Sequence, residues 1–156
     1  MKNLLSALFC LLLIGCGEST TVPRKAMVAV YHSTQQGPDF VRFLQQAVPA
    51  GRIPVVYFYA DWCGPCRRFR AALPSHEVDE ALQRATLIKV NVDSCQELAD
   101  AYGVQAVPTF VKVDAQGRAL AIITSDKWGE DIPSQIAPVL DQLVNGHTYD
   151  MGKRGQ

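Results

Sequence analysis

Two cysteines, Cys63 and Cys66, sit where the apolar run Val55-Val56-Tyr57-Phe58-Tyr59 gives way to a segment of helical character beginning near Gly64. The spacing points to sulfur chemistry. Residues three apart share a helix face, so the two thiols are near enough to close a small disulfide. A helix start presents unpaired backbone N–H groups and the positive end of the dipole, and both favour a thiolate. A free Cys has a pKa of about 8.5, and this setting in a Cys-x-x-Cys motif lowers it to between about 3.5 and 7.5. Pro65 suits an early helical position, where a missing N–H costs little. Cys63 then reads as a nucleophile and Cys66 as the thiol that resolves.

Such a pair has to be held by a scaffold, and the flanking sequence supplies alternating strands and helices. Residues 26–31 are apolar and partly β-branched, a first strand. Gly37-Pro38-Asp39 breaks it and opens a helix with Phe40, Val41, Leu44, Ala47 and Val48 on one face. Residues 49–54 read as a loop. The run at 55–59 has the continuous apolar character of a strand buried on both sides. A helix over 64–73 stops at Pro74, and 77–84 adds a further turn or two. Residues 86–92 form a third strand. Ser94 with Glu97 makes a capping box for a helix that ends at Gly103. Residues 109–113 and 120–124 are strands joined by Asp114-Ala115-Gln116-Gly117, a hairpin signal. A last helix buries Ile132, Ile136, Val139, Leu140, Leu143 and Val144 and stops at Gly146. Pro138 inside it implies a kink or a later start. The pattern predicts an α/β domain, one mixed central β-sheet flanked by helices on both faces.

Tyr59-Ala60-Asp61-Trp62-Cys63-Gly64-Pro65-Cys66 resembles the active-site segment of the thioredoxin superfamily, and Val107-Pro108-Thr109 resembles that family's second signature. The likeness covers residues 26–145 and implies a thioredoxin-like fold. It implies Cys63 and Cys66 as catalytic residues, with Trp62, Gly64, Pro65, Pro108 and Lys89 supporting them. It also implies a cis Pro108 facing the pair, substrate contact through Trp62, Val107, Pro108 and Thr109, and no cofactor beyond the redox-active disulfide. The wording around Cys63 and the break at Pro74-Ser75-His76-Glu77-Val78 are similar to the C-terminal periplasmic domain of DsbD-type reductant conductors. One position departs from the family. Tyr57 stands where cytoplasmic thioredoxins carry a buried Asp, and a Tyr titrating near about 10 is a poor base at neutral pH. Lys89, matching the family's lysine beneath the site, either biases thiol ionisation or is a strand lysine whose head reaches water. Cys95, at a helix start where exposure is expected, is either an inert thiol or half of a regulatory disulfide. Trp128 reads equally as packing.

The N-terminus speaks to compartment. Met1-Lys2-Asn3 precedes an apolar run from Leu4 to Ile14, too short to span a bilayer and of the size of a signal-peptide core. It ends in Leu13-Ile14-Gly15-Cys16, which resembles the bacterial lipobox. That likeness implies residues 1–15 as a cleaved lipoprotein leader and Cys16 as the acylated residue. Residues 16–25 then form a polar tether, 26–147 the domain and 148–156 a loose tail. Two or three acyl chains hold a protein stably, since each buried CH₂ contributes about 0.8 kcal/mol. Gly17 is not the Asp that favours inner-membrane retention, so the expected location is the cell envelope facing the periplasm, at the outer membrane in a Gram-negative cell. Cys10 leaves with the leader.

Charge is balanced, with 15 Lys and Arg against 15 Asp and Glu, and no basic stripe suggests nucleic acid. Zinc would need two ligands beside Cys63 and Cys66, and His32, His76 and His147 are scattered, so no metal is expected. Three function classes remain. The first is a reductase of protein disulfides, recharged by a membrane donor of the DsbD type. The second is a disulfide-donating oxidase, against which the Gly64-Pro65 dipeptide argues. The third is a non-catalytic lipoprotein that docks a partner.

Overall fold

The computed structural model describes residues 25–32 and 40–146. Cys10, Cys16, Gly17, the leader and tether, the Gly37-Pro38-Asp39 break, His147 and the tail from 148 lie outside the described residues.

The chain runs β1 (Met27–Tyr31), α1 (Phe40–Ala47), β2 (Ile53–Tyr59), α2 (Gly64–Ala72), α3 (His76–Ala81), β3 (Ala85–Asn91), α4 (Gln96–Ala101), β4 (Thr109–Val113), β5 (Ala119–Thr124), a 3₁₀ turn (Ser125–Lys127) and α5 (Pro133–Asn145). The sheet order is β1-β3-β2-β4-β5. β3 lies parallel to β1 and β2, whereas β4 is antiparallel to β2 and β5. The mixed α/β sheet expected from the alternation is what forms.

β2 is central, and its unbroken apolar run has a direct cause. Val55 and Tyr57 face a core built with Phe69 and Ala72 of α2, Val78 of α3, and Ile136 and Leu140 of α5. Val56 and Phe58 face the opposite core, with Leu44 of α1 and Ala99 of α4. Period-two alternation therefore buries every residue from Val55 to Phe58. Complete burial of side chains as large as Phe58, Phe69 and Phe110 contributes about 1.5–3 kcal/mol each.

Three local expectations need correction. β2 starts at Ile53, and Pro54 belongs to the strand rather than to a loop. The Ile53 N–H points toward β3 and donates to the Arg84 carbonyl at 2.9 Å. Alternation then turns the Pro54 nitrogen to the β4 side, where pairing begins only at Val55. The missing donor thus leaves no ladder bond unmade. Ser94 does not cap α4; Cys95 is the N-cap residue and makes no side-chain cap bond. The Ser94 hydroxyl instead donates to the Asn91 carbonyl at 3.3 Å, inside a turn in which Asn91 Oδ1 accepts from the Asp93 N–H at 2.8 Å. A short polar side chain has taken the nearer backbone partner. Finally, Ile132, expected on the buried face of the last helix, is its N-cap residue and is 42% exposed; α5 starts at Pro133, one residue later, and runs on through Pro138.

The hairpin forms as expected. The Asp114 carboxylate accepts from the N–H groups of Gln116 and Arg118, each at 2.9 Å, and Gly117 takes the left-handed conformation at φ 75°. No helix among the described residues is long and apolar enough to cross a membrane.

Candidate active site

The buried strand β2 ends at Tyr59, and the chain turns through Ala60-Asp61-Trp62 into α2. Arg67 holds this turn from the helix side, its Nη1 donating to the carbonyls of Asp61 and Trp62 at 3.1 Å each. Cys63 is the N-cap of α2 in extended conformation, and its sulfur accepts the Cys66 N–H at 3.1 Å. The orphan donor of a helix start is thus aimed at the nucleophilic sulfur, and Pro65 occupies a position where it has no bond to lose. Cys63 and Cys66 form a disulfide with Cα atoms 5.2 Å apart. Cys63 is 4% exposed and Cys66 fully buried, so an incoming group reaches Cys63 first.

From the far side of the sequence comes Val107-Pro108, joined by a cis peptide bond. It places the Val107 carbonyl oxygen 3.5 Å from Cys63 Sγ. Thr109, beginning β4, is almost fully buried and its hydroxyl donates to the Ala106 carbonyl at 2.6 Å. Trp62 is 68% exposed beside the pair, its indole N–H donating to the Asp93 carboxylate at 3.1 and 3.3 Å. Cys63, Cys66, Trp62, Val107 and Pro108 therefore meet at one place.

Beneath the disulfide lies a layer of rings and cations. Tyr57 is fully buried, and its hydroxyl donates to the Cys66 carbonyl at 3.2 Å. Burial pushes this phenol well above its ordinary value, and the neighbouring Arg70 guanidinium only partly opposes the push. Tyr59 stacks on Tyr57 with ring centres 5.4 Å apart. Lys89, the register partner of Tyr57, carries its Nζ to 5.1 Å from the Tyr59 ring centre, and Arg70 brings its Cζ to 5.2 Å. Lys89 is thus half-buried against an aromatic ring beneath the site. The sequence reading missed Arg70 and Tyr59. The signal was present, since Arg70 stands one helical turn beyond Cys66 and Tyr59 closes β2.

Other single residues resolve differently. Cys95 is 3% exposed and packs in the α1–α4 core, so the exposure expected for it is not found. Burial of the α4 start against β2 and β3 removes it from solvent. Trp128 is a core residue, edge-on to Phe110 at 5.9 Å, with its indole N–H donating to Asp131 at 2.8 Å. Asp131 also accepts from Arg68 Nε at 2.8 Å, which ties the loop before α5 to the helix carrying the cysteines. Among the described residues no group of three or more His, Cys, Asp or Glu is placed to hold a metal ion.

The thioredoxin family model matches residues 33–138. The mitochondrial thioredoxin-2 of Schizosaccharomyces pombe is 42% identical over 64 residues, 41% of this chain and 47% of that protein. The thioredoxin of Alicyclobacillus acidocaldarius is 31% identical over 96 residues, 62% of this chain and 90% of that protein. Among solved structures, Malassezia sympodialis thioredoxin superposes with a TM-score of 0.52 at 26% identity, covering 75% of this chain and 93% of its own. The germline thioredoxin Deadhead of Drosophila melanogaster gives 0.51 at 28% identity, covering 67% and 91%.

Proposed function

This chain belongs to the thioredoxin family and is a protein thiol–disulfide oxidoreductase, and on that premise we propose that it works as a reductase of protein disulfides in the bacterial cell envelope, anchored through Cys16. The observation that carries the exchange chemistry is the Cys63–Cys66 pair at the start of α2, with the Val107 carbonyl beside Cys63 and Trp62 exposed at its rim.

The Cys63 thiolate attacks one sulfur of a substrate disulfide. A Cys63–substrate bond forms, the substrate S–S bond breaks, and the departing sulfur takes a proton from solvent. Cys66 then loses its proton and attacks Cys63 Sγ, closing Cys63–Cys66 and releasing the second substrate thiol. Two electrons and two protons pass from the dithiol to the substrate. The Cys66 N–H directed at Cys63 Sγ stabilises the attacking thiolate, as hydrogen bonds to a charged form do. An extended substrate strand lies along Val107-Pro108-Thr109, with Trp62 supplying an apolar wall.

The reducing direction is supported by Gly64-Pro65 between the cysteines, the dipeptide of strongly reducing members; thioredoxin itself stands at about −270 mV. In an oxidising compartment the pair needs recharging, for which a membrane reductant conductor of the DsbD type is the fitting donor. The envelope location rests on the pattern from Lys2 to Cys16. Titration of Cys63–Cys66 against dithiothreitol or glutathione, with Cys95→Ser alongside, tests the direction. A potential at or below about −250 mV supports the reductase, and one above about −150 mV makes the protein a disulfide donor. Labelled palmitate should enter the wild-type chain in a bacterial host and not Cys16→Ser; equal labelling of the two would remove the anchor.

A further inference from the structure

One cation at the site has no part in the exchange steps described above. Arg70 follows Cys66 by four residues on α2, so the two share a helix face. A long helical side chain leans back toward the N-terminus, which here means toward Cys66. The guanidinium lies over Tyr59, and Tyr59 packs against the cluster of Ala60, Cys63 and Cys66. Its Nη2 is 4.0 Å from an Asp61 carboxylate that is 77% exposed, a distant and solvent-screened partner. Its Nη1 is buried and has no hydrogen-bond partner among the described residues. An unpartnered buried N–H is costly, and an anion forming nearby offsets that cost.

We propose that Arg70 is a positioning residue for the resolving step, its guanidinium stabilising the Cys66 thiolate so that Cys66 ionises near neutral pH although Tyr57 stands in place of a buried carboxylate. This rests on the dithiol exchange assigned above. The charged and titratable groups around Cys66 can be named element by element. β2 brings Tyr57 and Tyr59, β3 brings Lys89 across the Tyr59 ring, and the turn before α2 brings Asp61. On α2 itself, Arg67 is engaged by the Asp61 and Trp62 carbonyls and Arg68 by Asp131. Asp93 is taken by the Trp62 indole, and Ala106 to Phe110 bring no charged side chain. Among the described residues, Arg70 Nη1 is the buried side-chain donor that makes no hydrogen bond, while the rest of its guanidinium faces the Tyr57 hydroxyl and the Tyr59 ring.

In the step itself the Cys66 thiol gives its proton to solvent water. The thiolate attacks Cys63 Sγ of the mixed disulfide, the Cys63–Cys66 bond forms, and the bond from Cys63 to the substrate sulfur breaks. The electron pair leaves with the substrate sulfur, which takes up a proton from solvent. Arg70 stays charged throughout and exchanges no proton.

The test uses the full chain with Cys10, Cys16 and Cys95 replaced by Ser, reduced and mixed with the chromogenic disulfide dithionitrobenzoate. The first thionitrobenzoate released reports attack by Cys63. The second, released in a first-order step, reports attack by Cys66, and its rate is followed across pH. Arg70→Gln should move the midpoint of that second profile upward by about one pH unit and slow it about tenfold near neutrality, the lower end of what a neighbouring cation produces. Arg70→Lys should restore most of the rate, and Lys89→Gln should shift the profile less than Arg70→Gln. An unchanged midpoint in Arg70→Gln, or a shift in Arg70→Lys as large as that in Arg70→Gln, overturns the role of Arg70 while leaving the exchange reading intact. Failure of the parent to release a second equivalent overturns both.

Discussion

Removing the Tyr57 hydroxyl alone, as Tyr57→Phe, separates what this residue does for stability from what it does for chemistry. The hydroxyl is buried and donates to the Cys66 carbonyl at 3.2 Å, with the Arg70 guanidinium as a further polar neighbour. That carbonyl keeps its place in the α2 ladder, so no acceptor is stranded. The net loss is therefore about 0.5–1.5 kcal/mol, or a fall in Tm of about 2–6 °C. The ring remains, with its contacts to Phe69 at 4.8 Å, Phe110 at 4.9 Å and Tyr59 at 5.4 Å. Tyr57→Leu gives up these three ring pairs, each contributing about 0.5–1.5 kcal/mol, and should cost about 3 kcal/mol or more. For catalysis the expectation is the reverse of the stability effect. Burial holds the phenol protonated far above neutral pH, so it cannot accept the Cys66 proton. Urea unfolding gives the stability, and the pH profile of the second thionitrobenzoate release gives the chemistry. In Tyr57→Phe that profile should overlay the parent. A tenfold loss of rate near neutrality, or a midpoint moved by more than about half a unit, would mean that the hydroxyl handles the proton and would refute the reasoning.

Alkaline stability should decline through the buried tyrosines. Burial first, and then the Asp114 charge, push the Tyr102 phenol up from 10.0 to about 12. A folded value above the unfolded one gives stability that is fully present below about pH 10 and is lost as pH rises toward about 12. Tyr102→Phe should make the fall in urea midpoint over that window shallower, and equal slopes would show another group responsible. Asp131→Ala strips Trp128 of its indole acceptor and Arg68 of its partner. Leaving the Trp128 N–H without an acceptor should cost about 1–3 kcal/mol by denaturant unfolding, against a smaller loss for Asp131→Asn, which keeps an oxygen. Cys95 and Cys63 are about equally shielded, at 3% and 4% exposed, but Cys63 Sγ accepts a helix-start N–H and Cys95 makes no such cap bond. In the reduced native protein iodoacetamide should therefore label Cys63 first, and Cys95 only when α4 opens. Comparable labelling of both by mass spectrometry would place Cys95 at the surface.

Order and type of the elements were legible because they rest on local pattern. The β2 run, the spacing of apolar residues in α5, the hairpin residues Asp114 to Gly117 and the Gly stops each lie within a few residues of one another. So does the disulfide pair, since two cysteines at the start of one helix need only that helix to meet. The local misreadings at Pro54 and Ser94 had different causes: Pro54 turned on a remote strand, and Ser94 on a competing backbone acceptor only three residues away. Whether Pro54 may enter a strand depends on where β4 begins to pair, and the Ser94 hydroxyl found Asn91 nearer than the helix it was expected to cap.

What tertiary structure decided is the surroundings of the sulfur atoms. Val107 reaches Cys63 across 44 positions of sequence, and Asp131 joins Arg68 across 63. Lys89 and Arg70 converge on Tyr59 from a neighbouring strand and a covering helix. Burial of Cys95 and of the Tyr57 hydroxyl is likewise a property of what packs over them. Spacing along the chain determines which groups share a strand or helix face, whereas ionisation and reactivity depend on solvent exclusion and on charges a few ångströms away. Those distances exist only once the sheet has brought remote segments together.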